Sequence, residues 1–180
     1  MLTGKKIVLG VSGGIAAYKM ANVASMLSKL HADIHVVMTE NATHFITPET
    51  FEVLTGNHCY TDTFDRCMEL HVPHIALGTQ ADAILIAPAS ADVVGKIANG
   101  IADDMLTTCV LPATCPVMLA PSMNVHMYEN PIVQDNMKKL ASYGYEIIEA
   151  DEGYLACRDI GKGKLPPEHV LVDSIIRAHA

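Results

Sequence analysis

The sequence predicts an α/β fold in three layers, a parallel sheet with helices on both faces. Three observations carry that prediction. Short apolar runs rich in Val, Ile and Leu alternate with helix-like segments along the whole chain, as expected of strands buried on both faces and joined by helical crossovers. The first run breaks into Ser12-Gly13-Gly14, and a helical pattern begins at once. Four successive strand ends then deliver Ser, Thr, Asn or Asp to what such a sheet would make a single edge.

The elements follow in order. Lys6–Val11 is short and apolar, a buried strand. Gly14–Leu30 carries helical periodicity, and Asp33–Met38 is the second strand. Pro48–Thr55 and Pro73–Gln80 read as helices with proline in the first turn, where its missing N–H costs nothing. Ala83–Ala87 is the third strand, followed by helices over Asp92–Asn99 and Asp103–Leu111. Pro116–Ala120 is the fourth strand, Pro131–Tyr143 a helix, Tyr145–Ile148 the fifth strand and Pro167–His179 the last helix. Between the last two, Glu149 to Leu165 shows no clear periodicity over seventeen residues. A stretch of that length is expected as a long loop, and its three glycines and Cys157 make it a mobile flap over 150–165. No repeat or linker interrupts the chain, so residues 1–180 are expected to form one domain.

Composition narrows the function. The net charge is −8, so there is no basic surface to displace counterions and nucleic acid is not an expected partner. No apolar run reaches the length of a membrane span, and no signal-peptide pattern precedes the first strand. Five cysteines, Cys59, Cys67, Cys109, Cys115 and Cys157, are odd in number and form no C-x-x-C pair. A disulfide framework and a zinc site are therefore not expected, and a reducing, cytoplasmic setting is. Half of the residues are apolar and 18% are charged, which points to apolar surface buried between subunits.

The strand–glycine–helix opening places backbone N–H groups and a positive helix end toward whatever lies outside the turn, commonly a phosphate. The spacing matches neither G-x-G-x-x-G nor the P-loop, and a turn that simply needs small residues would look the same. The other strand ends are Thr39-Glu40-Asn41, Pro88-Ala89-Ser90-Ala91-Asp92 and Pro121-Ser122-Met123-Asn124. Each taken singly is also an ordinary helix N-cap.

Taken together, Ser12-Gly13-Gly14-Ile15-Ala16-Ala17-Tyr18-Lys19, Pro88-Ala89-Ser90-Ala91, Pro121-Ser122-Met123-Asn124-Val125-His126-Met127 and Ala156-Cys157-Arg158-Asp159-Ile160-Gly161-Lys162-Gly163, with His74 ahead of an Ile-Ala-Leu helix, resemble the homo-oligomeric flavin-containing cysteine decarboxylases. The resemblance spans essentially the whole chain. It implies a flavodoxin-like, Rossmann-like fold with FMN as cofactor. It also implies trimers, or a dodecamer of trimers, with the active site at the subunit contact. The implied reaction is decarboxylation of 4'-phosphopantothenoylcysteine to 4'-phosphopantetheine in coenzyme A biosynthesis. The resemblance places Ser12, Gly13, Gly14, Ile15, Thr39, Phe45, Ser90, Ala91 and Asp92 at the cofactor, and Asn124, Met127, Ala156 and Lys162 at the substrate. No metal is implied. Relatives often read Asn-Thr where this chain has Asp92-Val93, and Gly-Arg-Met where it has Gly163-Lys164-Leu165.

The chemistry assigns roles within that resemblance. A cysteine carboxylate lacks an electron sink until the thiol-bearing carbon is oxidised; the carboxylate then lies beta to C=S and its electrons can flow to sulfur. His74 is expected as the base that takes the thiol proton, since imidazole titrates near neutrality. Without the resemblance it would read as a surface histidine at a helix start. Asn124 is expected to bind the carboxylate without neutralising it, and Cys157 to protonate the enethiolate from the flap. Three other readings remain: a peptidyl-cysteine decarboxylase, which stops at the enethiol; a non-catalytic regulatory flavoprotein on the same fold; and a flavodoxin-like electron carrier, which would not need His74, Asn124 and Cys157 together.

Overall fold

Ile7, Leu9 and Val11 are buried among one set of apolar side chains, whereas Val8, between them, belongs to another. That alternation is the two-residue period of a strand covered on both faces. In this computed structural model, which describes residues 1–64, 72–154 and 160–179, the strand is β1 (Lys6–Val11), at the centre of a six-stranded sheet. The others are β2 (Asp33–Met38), β3 (Cys59–Tyr60), β4 (Ala83–Ala89), β5 (Val117–Pro121) and β6 (Glu146–Ile147). All pairings are parallel, in the order β3-β2-β1-β4-β5-β6. The predicted α/β class holds. The chain order reverses between β1 and β4, and in open parallel sheets the crevice beyond the carboxyl ends at that reversal receives ligands.

One face is covered by α1 (Met20–Lys29), α2 (Pro48–Thr55) and α8 (Glu168–Arg177), which bury Leu27, Phe51 and Ile175 against Ile7 and Leu9. The other carries α3 (Pro73–Gln80), α4 (Ala91–Ala98), α5 (Met105–Val110) and α7 (Pro131–Ser142), with Leu77, Val93, Leu106 and Leu140 packed on Ile84 and Leu119. No helix among the described residues is long and apolar enough to cross a membrane.

Apart from shifts of one or two residues at the ends of other elements, the structure departs from the sequence reading in four places. The helix expected over Gly14–Leu30 opens as a 3-10 turn, Ile15–Lys19, before α1. The helix expected from Asp103 begins at Met105, because Asp104 caps it: its Oδ1 accepts from the Thr107 amide at 2.8 Å. Two short helical segments, Glu40–His44 and α6 (Val125–Tyr128), are additional, as is the edge strand β3. Finally, the stretch expected to be an irregular loop contains an antiparallel pair, β7 (Asp151–Tyr154) and β8 (Ile160–Lys164). The pair is tied to the end of β5: the Met123 amide donates to the Gly163 carbonyl at 3.0 Å. Gly163 has φ 135°, and a Cβ there would lie 2.4 Å from the Met123 carbonyl oxygen. Only glycine allows that approach.

Candidate active site

The carboxyl ends of β1 and β4 are pinned together by Ser12. Its hydroxyl is fully buried, donates to the Pro88 carbonyl at 2.6 Å and accepts from the Ser90 amide at 2.8 Å. Ser12, expected at the cofactor, thus serves in this structure as the brace that sets the crevice. Gly13 follows, and a Cβ on it would stand 2.5 Å from the Asn41 Cβ and 3.1 Å from the Asn41 carbonyl carbon. The turn can therefore pass against the Glu40–His44 segment only as glycine.

Two cavities open above this brace. One, of about 290 Å³, is lined largely by small and apolar groups, among them Gly13, Gly14, Ile15, Ala91, Met123 and Met127, with Asn124 and Gly163 also in its wall. The other, of about 410 Å³, is polar, with Thr39, Glu40, Asn41, Asp92, Lys96 and Asp103 in its wall. Gly13, Ser90, Ala91 and Met127 line both. The cavities therefore adjoin across the β1–β4 reversal.

The polar strand ends also act as caps. Thr39 Oγ1 accepts from the Ala42 amide (3.2 Å), Ser90 Oγ from Val93 (3.3 Å) and Asn124 Oδ1 from His126 (2.9 Å). The two readings of these residues therefore coexist: capping turns successive helix starts toward the same crevice, where their leading N–H groups favour an anion.

The structure brings together Gly13, Gly14, Ile15, Thr39, Ser90, Ala91, Asp92, Asn124 and Met127 around the cavities. It does not bring Phe45, half-exposed just past the Glu40–His44 turn, into the lining of either cavity. Nor does it bring Lys162, whose ammonium pairs with the Glu149 carboxylate; that partner lowers the Glu149 carboxyl and raises Lys162. His74 is the second residue of α3. It too lines neither cavity, and its Nδ1 is buried without a hydrogen-bond partner among the described residues. Ala156 and Cys157 lie outside the described residues, as does Cys67.

The remaining cysteines are chemically quiet. Burial pushes the Cys59 and Cys109 thiols up to about 12, and also raises that of half-buried Cys115. This agrees with their reading as small apolar residues, since the thiolate is the reactive form. Sequence reasoning did not identify Asn41, Lys96, Asp103 or Asp104 as site residues. Lys96 Nζ lies 3.2 Å from Asp92, 3.1 Å from Asp103 and 3.6 Å from Asp104. Only the Asp92–Lys96 spacing of four was a readable signal.

Comparison with known proteins matches residues 1–179 to the Flavoprotein family. The chain belongs to this family. This flavoprotein is 49% identical over 172 residues to the coenzyme A biosynthesis bifunctional protein CoaBC of Bacillus subtilis, covering 95% of this chain and 42% of that protein. It thus spans less than half the length of that relative. It is 42% identical over 173 residues to the probable phosphopantothenoylcysteine decarboxylase of Streptococcus mutans, covering 95% and 97% of the two chains. Among solved structures it is similar to the FMN-dependent cysteine decarboxylase SpaF (35% identity, TM-score 0.86, full coverage of both chains). It is also similar to a PPC decarboxylase cysteine-to-serine mutant complexed with pantothenoylaminoethenethiol (30% identity, TM-score 0.85, 97% of each chain). The cavities suit a flavin. The close passage at Gly13 keeps side chains out of the crevice, the apolar cavity offers a wall for a flat ring system, and the capped helix starts offer N–H groups for a phosphate.

Proposed function

We propose that the protein is an FMN-dependent phosphopantothenoylcysteine decarboxylase that supplies 4'-phosphopantetheine for coenzyme A biosynthesis. The observation that carries this reading is the adjoining pair of cavities at the β1–β4 reversal. Asn124 and Gly163 of β8 line one of them, and the Met123–Gly163 hydrogen bond ties their segments together. The long identity to decarboxylases supports the same activity.

FMN, when bound, supplies the oxidation of the thiol-bearing carbon and the return of reducing equivalents. The residues of this chain do the rest. His74 takes the substrate thiol proton. Asn124 has its amide oxygen committed to the His126 N–H, which fixes the plane of the side chain; it orients the substrate carboxylate without forming an ion pair that would oppose its loss. Cys157 gives a proton to the enethiolate after carbon dioxide has left. Met127 and the Gly163 backbone, which line the apolar cavity, limit the access of water to the reacting carbon. His74 lines neither of these two cavities, and Ile15 and Met127, which line the apolar one, are exposed. Both facts support a trimer in which one subunit's histidine completes its neighbour's site. The proposed setting is the reducing cytoplasm.

The test is incubation of purified protein with 4'-phosphopantothenoylcysteine, following the product by mass. Loss of carbon dioxide together with the saturated thiol supports the reading. Reaction only with a peptide ending in cysteine, and release of an enethiol, would favour the peptidyl-cysteine decarboxylase reading instead. Denaturation should release a flavin bearing one phosphate, and light scattering should show trimers or a multiple of them.

A further inference from the structure

Lys96 is the only basic residue lining either cavity among the described residues. Its side chain is 23% exposed, and its ammonium gathers Asp92 from its own helix and Asp103 and Asp104 from the start of α5. The turn between α4 and α5 closes on the same residue, because the Ile101 amide donates to the Lys96 carbonyl at 2.9 Å. Asp104 is shared: one carboxylate oxygen caps α5 while the other faces Lys96 at 3.6 Å. Across the polar cavity stands Glu40, a further carboxylate. On the neighbouring α7, Lys139 is engaged by Asn99 at 3.1 Å. Burial works against the charge on Lys96, but hydrogen bonds to Asp103 and Asp92 outweigh it and hold the ammonium above its ordinary range.

We propose that Lys96 is a positioning residue for the flavin, the single cation that holds three carboxylates together as one wall of the polar cavity. The inference rests on the flavin reading given above. Without the ammonium, Asp92, Asp103 and Asp104 would be left close together with nothing between them. Their repulsion would drive the 99–104 segment away from α4 and spoil the cavity before any ligand arrives. The role is therefore preorganisation rather than contact with the cofactor phosphate.

The test uses the protein stripped of flavin, titrated with FMN and with riboflavin, which lacks the phosphate, and read by flavin fluorescence. Lys96→Met keeps most of the aliphatic stem and removes the charge. It should weaken both flavins about tenfold at low ionic strength, and the deficit should shrink to about two- to threefold near 1 M salt, where the screening length falls to about 3 Å. Lys96→Arg should retain most of the affinity. A deficit confined to FMN would mean that Lys96 contacts phosphate directly and would overturn the proposal. An unchanged affinity, or a deficit indifferent to salt, would overturn it as well. Hydrogen exchange on the flavin-free protein gives an independent reading. The Ile101, Asp104 and Thr107 amides should exchange at least about fivefold faster in Lys96→Met, since local opening governs such exchange; unchanged protection would overturn the proposal. If Lys96→Met does not fold, Asp103→Asn, which removes one exposed partner, should change protection at the same three amides, and no change there would also overturn it. If the wild-type protein binds neither flavin, the functional reading fails, and the exchange data still judge the wall.

Discussion

At the amino edge of the sheet polar groups close on one another; at the carboxyl edge they frame open space. Asp82, just before β4, accepts from the Lys6 amide at 2.8 Å and from the Lys5 ammonium at 2.9 Å. The Asp33 amide donates to the Lys5 carbonyl, and the Asn57 side chain donates to Asp33 and to the Ile34 carbonyl. At the other edge Ser12 closes the sheet beneath, and above it Thr39, Ser90, Asn124 and the cavities face outward. The amino edge serves stability and, in the function proposed above, the carboxyl edge serves binding and chemistry. The two should respond to mutation differently.

The largest effect is expected where chemistry is least tied to folding. His74→Asn should lower decarboxylation at least about a thousandfold, within the span of general acid–base contributions, with the melting temperature little changed. Cys157→Ser should divide the reaction: carbon dioxide still leaves, and the unsaturated thiol accumulates, as mass spectrometry would show. Saturated product at an undiminished rate would make the cysteine a bystander. Gly13→Ala comes next, because its methyl would meet the Asn41 segment. We expect a loss of about 3 kcal/mol, at the upper end for overpacking, and protein that purifies without flavin; denaturant unfolding and the visible absorbance check both. Ser12→Ala blurs the contrast, since the brace belongs to both functions. Leaving the Ser90 amide and the Pro88 carbonyl without this buried partner should cost about 2 kcal/mol and should also weaken flavin binding.

The smallest effect belongs to the amino edge. The Lys6 amide and the Lys5 ammonium hold the Asp82 carboxyl below its ordinary value of 3.8. Its folded-state value being the lower one, its contribution is present above the ordinary value and is lost as pH falls through the folded one. Asp82→Asn should therefore cost about 0.5 kcal/mol at neutral pH, as partly exposed pairs do, and nothing in strongly acid solution, with activity unchanged. Urea midpoints measured across pH would reveal the convergence, and a constant difference down to pH about 2 would contradict the assignment.

Sequence alone was most informative where local pattern and packing agree. Lys6–Val11 and Asp33–Met38 are short segments rich in Val and Ile, and the structure returns them with the same ends. Pro48–Thr55 and Pro73–Gln80 are likewise unchanged, opened by proline. Cys59–Tyr60 had no run to announce it; it is a strand because Val36 and Val37 of β2 offer it a ladder. Residues 151–154 and 160–164 are charged and glycine-rich, and their pairing depends on the distant Met123 as a docking partner. The site divides the same way. Strand-end positions such as Gly13, Ser90 and Asn124 could be placed from order along the chain. Lys96, Asp103 and Asp104 became neighbours only when the turn after α4 folded back.

Of the four residues common to both cavities, three are Gly13, Ser90 and Ala91, and the fourth, Met127, is unbranched. Each carries little bulk near the backbone, so the boundary that the two cavities share is defined by missing atoms. A ligand that spans them is selected by thickness before any hydrogen bond is formed. Specificity at such a boundary is subtractive: at Gly13, Ser90 and Ala91 nearly every substitution adds atoms and narrows it. Sequence change at these three positions is thereby directed toward smaller or flatter ligands, whereas change at the polar rim can alter charge and leave the aperture as it is.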